Sequence, residues 1–364
     1  MNGRDPRIDP RVAVGAIADY PERVDVRSPS EFALDHIAGA TSHPVLSDDE
    51  RARIGTMYVQ GSPFAAKRIG AALVARNVAA MLETAFADKP REWAPLVYCW
   101  RGGQRSRALA HMMNEIGWRA VQLDGGYRAY RRHVMAELET LPARFAFRVI
   151  CGLTGSGKSR LLAALAAEGA QTLDLETLAR HRGSLLGDRP DDPQPSQKLF
   201  DSLLWDALAR LDPSRPVFVE SESKKIGAVQ VPDALLAAMR TADCVRLDTP
   251  RPLRVALLKD EYTHFLRDAR ALAERLAPLA PLVGKASLER WNAAAAAGDW
   301  DTVVGELLEQ HYDPSYSRSI AKNFPRHADA LVVAPRALDD AALRELAREI
   351  LAQRRIAMDA AQPA

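Results

Sequence analysis

Ile150-Cys151-Gly152-Leu153-Thr154-Gly155-Ser156-Gly157-Lys158-Ser159 is an apolar strand end that runs into a glycine-rich turn closing on Lys-Ser. The spacing Gly152-x-x-x-x-Gly157-Lys158-Ser159 is that of a phosphate loop. Glycines at 152, 155 and 157 let backbone N–H groups converge on phosphate oxygens. The helix expected from Lys158 onward adds the positive end of its dipole. Lys158 supplies a point charge to the terminal phosphate, and the Ser159 hydroxyl is a candidate ligand for Mg²⁺. An apolar strand before the turn, residues 146–151, and a helix-compatible run after it, residues 160–167, place the motif in the strand–loop–helix context it needs.

A phosphate loop usually works with an acid at the end of a neighbouring strand. Val217-Phe218-Val219-Glu220-Ser221-Glu222 offers Glu220 or Glu222, and Asp174 after Leu173 is a second candidate. The Mg²⁺ set to test is therefore Ser159 with Glu220 or Glu222. Glutamate in place of aspartate weakens the analogy with nucleotide hydrolases, so ATP hydrolysis does not follow. Further strands are expected at 171–175, 216–219 and 244–247. Residues 183–195, rich in Gly, Asp and Pro, read as a long mobile loop. Beyond Thr249 the pattern is mainly helical, from 253 to about 279 and from 338 to 353.

Some fifty residues upstream lies Cys99-Trp100-Arg101-Gly102-Gly103-Gln104-Arg105-Ser106. The short apolar run Leu96-Val97-Tyr98 reads as a strand that delivers Cys99 at its C-terminal end, and 106–116 as the helix that follows. Arg101, Arg105 and the helix N-terminus are expected to favour the thiolate. The N–H groups of Gly102 and Gly103 are placed to stabilise a transferred anionic atom. Cys151 and Cys244 sit inside apolar strands and read as inert. Val24–Arg27 and residues 120–123 are further strands, and 73–87 is a helix. Strands alternating with helices imply parallel sheets, with functional loops at the carboxyl ends of the strands. Pro142 and the basic stretch to Arg148 mark a boundary between domains at about 12–140 and 145–356.

The bulk numbers agree with two soluble domains: 364 residues, 47% hydrophobic, 26% charged, formal charge +2. Between Arg91 and Arg148 ten Lys/Arg face five Asp/Glu, a local surplus that would draw a polyanion toward Cys99. Three cysteines without a CxxC pair suit a reducing compartment. The N-terminus lacks an apolar signal core, and no apolar stretch reaches the ~20 residues of a membrane span. A cytoplasmic protein without membrane contact is expected, its last residues, 360–364, frayed.

Asp25-Val26-Arg27-Ser28-Pro29-Ser30-Glu31-Phe32, His36-Ile37-Ala38-Gly39-Ala40, the Cys99 loop and Leu123-Asp124-Gly125-Gly126-Tyr127 together resemble a rhodanese domain. Fused to a phosphate-loop domain, with Gly126-Tyr127-Arg128-Ala129-Tyr130-Arg131, His181-Arg182-Gly183-Ser184, Gln194-Pro195-Ser196-Gln197-Lys198, Glu220-Ser221-Glu222-Ser223-Lys224-Lys225-Ile226-Gly227 and His311-Tyr312-Asp313-Pro314-Ser315-Tyr316, the chain is similar to the tRNA 2-selenouridine synthases over about residues 12–320. The resemblance implies an α/β fold: an N-terminal rhodanese-like parallel-sheet domain, then a P-loop NTPase-like domain with a mainly helical C-terminal part. It implies replacement of sulfur by selenium in wobble 2-thiouridine of tRNA through an S-geranyl intermediate. Selenophosphate and geranyl diphosphate are the co-substrates, and a selenophosphate-supplying enzyme is an implied partner.

On this reading Cys99 carries selenium, with Arg101 and Arg105 beside it. Gly152, Gly155, Gly157, Lys158 and Ser159 hold the diphosphate. The helical run 253–279 would wall an apolar groove for the geranyl chain. Arg107, Arg128, Arg131, Arg132, Lys224 and Lys225 would meet tRNA, as would Arg101 and Arg105. Trp100, Tyr127 and Tyr130 are candidates to stack on an extruded base, a role that ordinary packing rivals for the two tyrosines. A phosphate-loop kinase of a small substrate carrying a rhodanese sulfurtransferase domain, and a non-catalytic anion or nucleotide sensor, are the alternatives. Rapid ATP turnover without tRNA would mark the first, and a Cys99 inert to alkylation the second.

Overall fold

The structure, a computed structural model, describes residues 10–359, without the side chains of 354–359. The expectations for the extreme N-terminus and for residues 360–364 lie outside it. The chain divides into two compact units: Met1–Glu137 with Pro195–Asp206, and Leu138–Gln194 with Ala207–Ala364.

The first unit carries β1 (Arg11–Val12), β2 (Arg23–Asp25), β3 (Ala40–Ser42), β4 (Leu96–Tyr98) and β5 (Val121–Leu123). These form a parallel five-stranded sheet in the order β1-β5-β4-β2-β3. Its helices are α1 (Pro29–Leu34), α2 (Asp48–Gln60), α3 (Pro63–Glu83), α4 (Gln104–Ile116) and α5 (Gly126–Thr140). The helix expected at 73–87 begins ten residues earlier, because Pro63 opens it and the Ser62 side chain accepts from Ala65 N at 3.3 Å. β4 is buried along its whole length, as a central parallel strand must be. Val24, Val97, Leu109, Met113 and Cys99 share one core with Phe86 and Trp93. Cys99 thus leaves the sheet already buried.

The second unit repeats the plan with β6 (Phe147–Gly152), β7 (Gln171–Leu173), β8 (Val217–Glu220), β9 (Lys225–Ile226), β10 (Val229–Gln230), β11 (Asp243–Leu247) and β12 (Leu331–Val333). The main sheet is parallel, in the order β12-β11-β6-β8-β7, and β9 and β10 form a separate antiparallel pair. α6 (Lys158–Ala167) follows the phosphate loop, α7 (Leu175–Ala179) follows β7, and α8 (Gln197–Ala209) precedes β8. β7 stops at Leu173, short of the expected 175, because Asp174 accepts from Thr177 N at 2.7 Å and caps α7. Asp174 is therefore a helix cap.

α9 (Asp233–Arg240) leads into β11. The helical run expected at 253–279 is broken into α10 (Arg251–Glu261), α11 (Thr263–Arg267) and α12 (Ala269–Leu276), the last capped by Asp268 at Ala271 N. α13 (Ala280–Val283), α14 (Lys285–Ala296), α15 (Trp300–Leu307) and α16 (Asp313–Asn323) continue it, and α17 (Asp340–Asp359) closes the unit. The region beyond Thr249 is mainly helical, as expected, and also holds a strand the reading did not name: β12, an edge strand of three residues that pairs with β11.

Pro195–Asp206, most of it in α8, groups with the first unit rather than with its sequence neighbours. Ser196 Oγ donates to Leu34 O, Arg131 donates to Asp201 at 2.5 Å, and Trp205 meets Tyr130 edge-on. The division into consecutive blocks at 12–140 and 145–356 does not contain this excursion.

Candidate functional site

Cys99 is the first residue after β4, and its thiol is 3% exposed. Its Sγ accepts from Gly103 N at 3.3 Å and from the Ser106 hydroxyl at 3.1 Å. Gln122 on β5 donates to Ser106 Oγ at 2.6 Å, which leaves the serine proton directed at sulfur. A negative charge on this atom would thus meet two donors and the first turn of α4.

The loop is braced from outside. Tyr127 N donates to Cys99 O at 2.9 Å and Arg128 N to Trp100 O at 3.0 Å. Gly126 sits at φ +57, and a Cβ there would lie 2.3 Å from Cys99 O. Backbone shape and space both demand glycine, so Leu123–Tyr127 is the support of the thiol loop.

The arginines do not gather on sulfur. Arg105 donates to Glu31 at 2.9 Å, and Arg51 binds the same carboxylate. Although burial works to raise it, the bonds from Arg105 and Ser28 hold Glu31 below the usual range. The charge expected to act on Cys99 is therefore committed to an ion pair. Arg101 is exposed, as are Arg128 and Arg132. Arg131 is spent on Asp201 and Lys198 O, and Arg107 is half-buried. Tyr127 and Tyr130 are buried, Tyr127 donating to Asp35 at 2.6 Å, so packing is their role. Trp100 is 37% exposed and stacks on Tyr127.

In the second unit β6 runs into the phosphate loop and α6 starts at Lys158. Gly155 takes φ +72, and a Cβ there would lie 2.7 Å from Leu258 Cγ. Lys158 Nζ reaches across the loop to Gly152 O at 3.1 Å, with the Tyr316 ring 5.8 Å away. The crest is clasped by Arg254, which donates to Thr154 O at 2.9 Å and forms a bidentate pair with Asp313 at 2.5 and 3.0 Å. Thr249 Oγ1 donates to Ser156 O at 2.7 Å. A cavity enclosing about 470 Å³, part of it open to solvent, lies over the loop and is also lined by Arg182, Glu176 and Tyr262.

The carboxylates differ from expectation. Ser159 Oγ donates to Glu176 at 2.7 Å, a residue that sequence reasoning passed over. Glu220 lies behind it, fully buried, accepting from Glu176 N at 2.8 Å. Burial raises Glu220 well above the usual range and Glu176 less far, Lys158 opposing the shift at Glu176. Among the described residues no group of three or more His, Cys, Asp or Glu side chains is arranged to hold a metal ion. Of the carboxylates considered for Mg²⁺, Glu220 is engaged by Glu176 N, and the carboxylate bonded to Ser159 is Glu176.

Burial pushes Glu222 up to about 8, the Glu176 charge adding to it and Lys158 opposing. A carboxyl raised in this way supports folding fully below its usual 4.5 and withdraws that support as the pH climbs to about 8. The thermal midpoint is therefore expected to fall across that window and to level off above it, and Glu222→Gln to flatten the fall. Melting curves with the same pH slope for both proteins would contradict the assignment.

The remaining motifs find structural work. Gly183 packs on Glu222, where a Cβ would lie 2.9 Å from both carboxylate oxygens, and Arg182 lies over the Tyr262 ring. Gln194 donates to Ala179 O and Ile226 O, each at 3.0 Å. His181 meets Asp188 at 3.2 Å, so the segment expected to be a mobile loop is pinned at several points. Lys224 and Lys225 are exposed, Lys224 paired with Asp233. Cys151 and Cys244 are buried in β6 and β11; the hydrogen bond between them and burial push Cys151 up, keeping it protonated.

Residues 15–133 match the rhodanese-like domain family, and residues 145–280 match the family described as the tRNA 2-selenouridine synthase AAA domain. A tRNA 2-selenouridine synthase of Nitrosomonas europaea is 34% identical over 302 residues, covering 80% of this chain and 77% of the relative. One of Shewanella loihica is 34% identical, covering 83% and 88%. One of a Sulfurovum species is 31% identical, covering 83% and 90%. Among the described residues no helix is long and apolar enough to cross a membrane.

Proposed function

The chain belongs to the tRNA 2-selenouridine synthase family, and from that premise we propose that it replaces the sulfur of wobble 2-thiouridine by selenium in two stages, one at each site. In the first, the thiouridine sulfur attacks C1 of geranyl diphosphate. The C–O bond breaks and pyrophosphate leaves with the electron pair. The Gly152–Ser159 loop grips that leaving group, its N–H donors and Lys158 stabilising the charge that builds there. In the second stage selenium from selenophosphate bonds to C2 of the base. The sulfur departs as geranylthiolate, and water takes up the phosphoryl group as phosphate. An alkylated sulfur leaves as a thiolate, whereas the bare thiocarbonyl sulfur would have to leave as sulfide, a poorer leaving group, which is why an alkylation precedes the exchange.

Cys99 serves the second stage as a nucleophile: its thiolate displaces geranylthiolate from C2. The hydrogen selenide that water releases from selenophosphate then displaces the Cys99 sulfur, so selenium stays at the selenide level throughout. One observation carries the reading: a buried thiol addressed by Gly103 N and Ser106 Oγ, and a complete phosphate cradle, stand on one chain. Exposed Arg101, Arg128 and Arg132 suit the tRNA backbone, and the exposed Trp100 ring suits a splayed base. Mass spectrometry of wobble nucleosides, after incubation with thiolated tRNA, geranyl diphosphate and selenophosphate, each omitted in turn, tests the order. Omitting selenophosphate is expected to leave S-geranyl-2-thiouridine, and omitting geranyl diphosphate to leave 2-thiouridine. Selenouridine formed without geranyl diphosphate would overturn it.

A further inference from the structure

The first unit carries a helical hairpin that contributes little to its core. Residues 52–76, most of α2 and the first part of α3, hold four cations, Arg53, Lys67, Arg68 and Arg76, and no Asp or Glu. α2 has no buried residue, and between 52 and 76 only Ala66, Gly70 and Leu73 are buried. So little burial stabilises the domain only slightly.

The hairpin is anchored at its foot, on the edge of the sheet where Cys99 emerges. β2, β3 and β4 are parallel, so all three end along that edge. Just past β2, Ser30 N donates to Asp48 at 3.2 Å. Asn77 donates to Val45 O at 3.0 Å and to Glu50 at 2.9 Å. Arg51 and Arg105 meet on Glu31, which ties the foot of α2 to the helix after the Cys99 loop. Beyond these bonds the two helices extend to the connection at 61–62.

Arg53, Lys67, Arg68 and Arg76 are exposed, and they form no hydrogen bond or ion pair among the described residues. Phe64, Arg68, Ala72 and Arg76 follow at intervals of four, which sets them in one row on α3. Lys67, Ala71 and Ala75 make the next row, so the cations stand on a floor of alanine. At the tip Tyr58, Val59 and Phe64 are 51%, 82% and 76% exposed, an apolar patch of the kind that marks an interaction site. A protein interface gathers its apolar anchors at the centre and its charges at the rim. Here the charges run along the helix, about 12 Å from Arg68 to Arg76, with the apolar side chains confined to the end. That order suits a run of phosphates with an unpaired base beside it.

We propose that the α2–α3 hairpin grips the anticodon arm of the substrate tRNA, its four cations on backbone phosphates and Tyr58 and Phe64 against an unstacked base of the loop. The assignment rests on the reading of tRNA as the substrate.

Fluorescence anisotropy of a labelled anticodon stem-loop RNA, titrated with the full-length protein over a range of salt, tests it. Arg53→Gln, Lys67→Gln, Arg68→Gln and Arg76→Gln together keep helix propensity and leave the bridge on Glu31 alone. In this quadruple variant the slope of log affinity against log salt should shrink by roughly three units, and affinity at low salt should fall about tenfold or more. Tyr58→Ser with Phe64→Ser should cost roughly fivefold in affinity and leave the slope as it was, and this pair tests the hairpin even if the quadruple variant fails to fold. Wild-type affinity and slope in both variants would overturn the assignment. So would a quadruple variant that loses binding to phosphatidylglycerol vesicles while holding RNA normally. Wild-type protein that binds no stem-loop would overturn the reading of tRNA as the substrate.

Discussion

A Lys158→Ala variant is expected to lose S-geranylation of thiolated tRNA by about 10²–10³-fold, the scale on which an aimed donor at a developing charge counts. Lys158 is 8% exposed and bonded within the loop, so its ammonium is held in place where the charge builds. Supplied with tRNA already geranylated, the same variant should still form selenouridine at close to the wild-type rate. Nucleoside mass spectrometry reads both reactions from one digest. Equal loss of the two would mean that the loop serves the whole conversion, and the division of labour would fall.

The mirror-image result is expected of Cys99→Ser. Selenouridine formation should drop below detection, and S-geranyl-2-thiouridine should accumulate. Serine keeps the donors from Gly103 and Ser106 in place, so the loop retains its shape while losing sulfur nucleophilicity. A variant that selenates normally would remove Cys99 from the mechanism. Cys151 and Cys244 offer no substitute, being buried within the sheet of the other unit.

Both of these sites could be read from the chain because each is a local pattern. Gly152 to Ser159, and Cys99 to Ser106, carry their chemistry in consecutive residues whose backbone shapes glycine announces. What surrounds them is long-range and left no such trace. Gln122 orients Ser106 from another strand, Glu31 takes the charge of Arg105 from 74 positions away, and Glu176 answers Ser159 from the next β–α turn. Arginines close to a cysteine in sequence suggested a thiolate field, yet the fold spends one of them on an ion pair.

Register explains the other differences. β12 is a three-residue edge strand, too short for its alternation to show against the helices around it. The apolar groove was foreseeable in position, beside the run 253–279. It is lined as well by α15 and by residues 308–312, a π-helical turn, where helical periodicity marks residues as buried without saying what they enclose. Tyr127 and Tyr130 show the same limit: their spacing fits a stacking platform as well as a core, and packing against Asp35 and Trp205 decided for the core.

A single-turnover time course of the wild-type enzyme, quenched and read as wobble nucleosides by mass spectrometry, goes straight to whether two sites act in succession on one base. S-geranyl-2-thiouridine should rise first and then decay as selenouridine appears after a lag. Selenouridine that appears without a lag, while the geranylated nucleoside persists unchanged, would contradict the account.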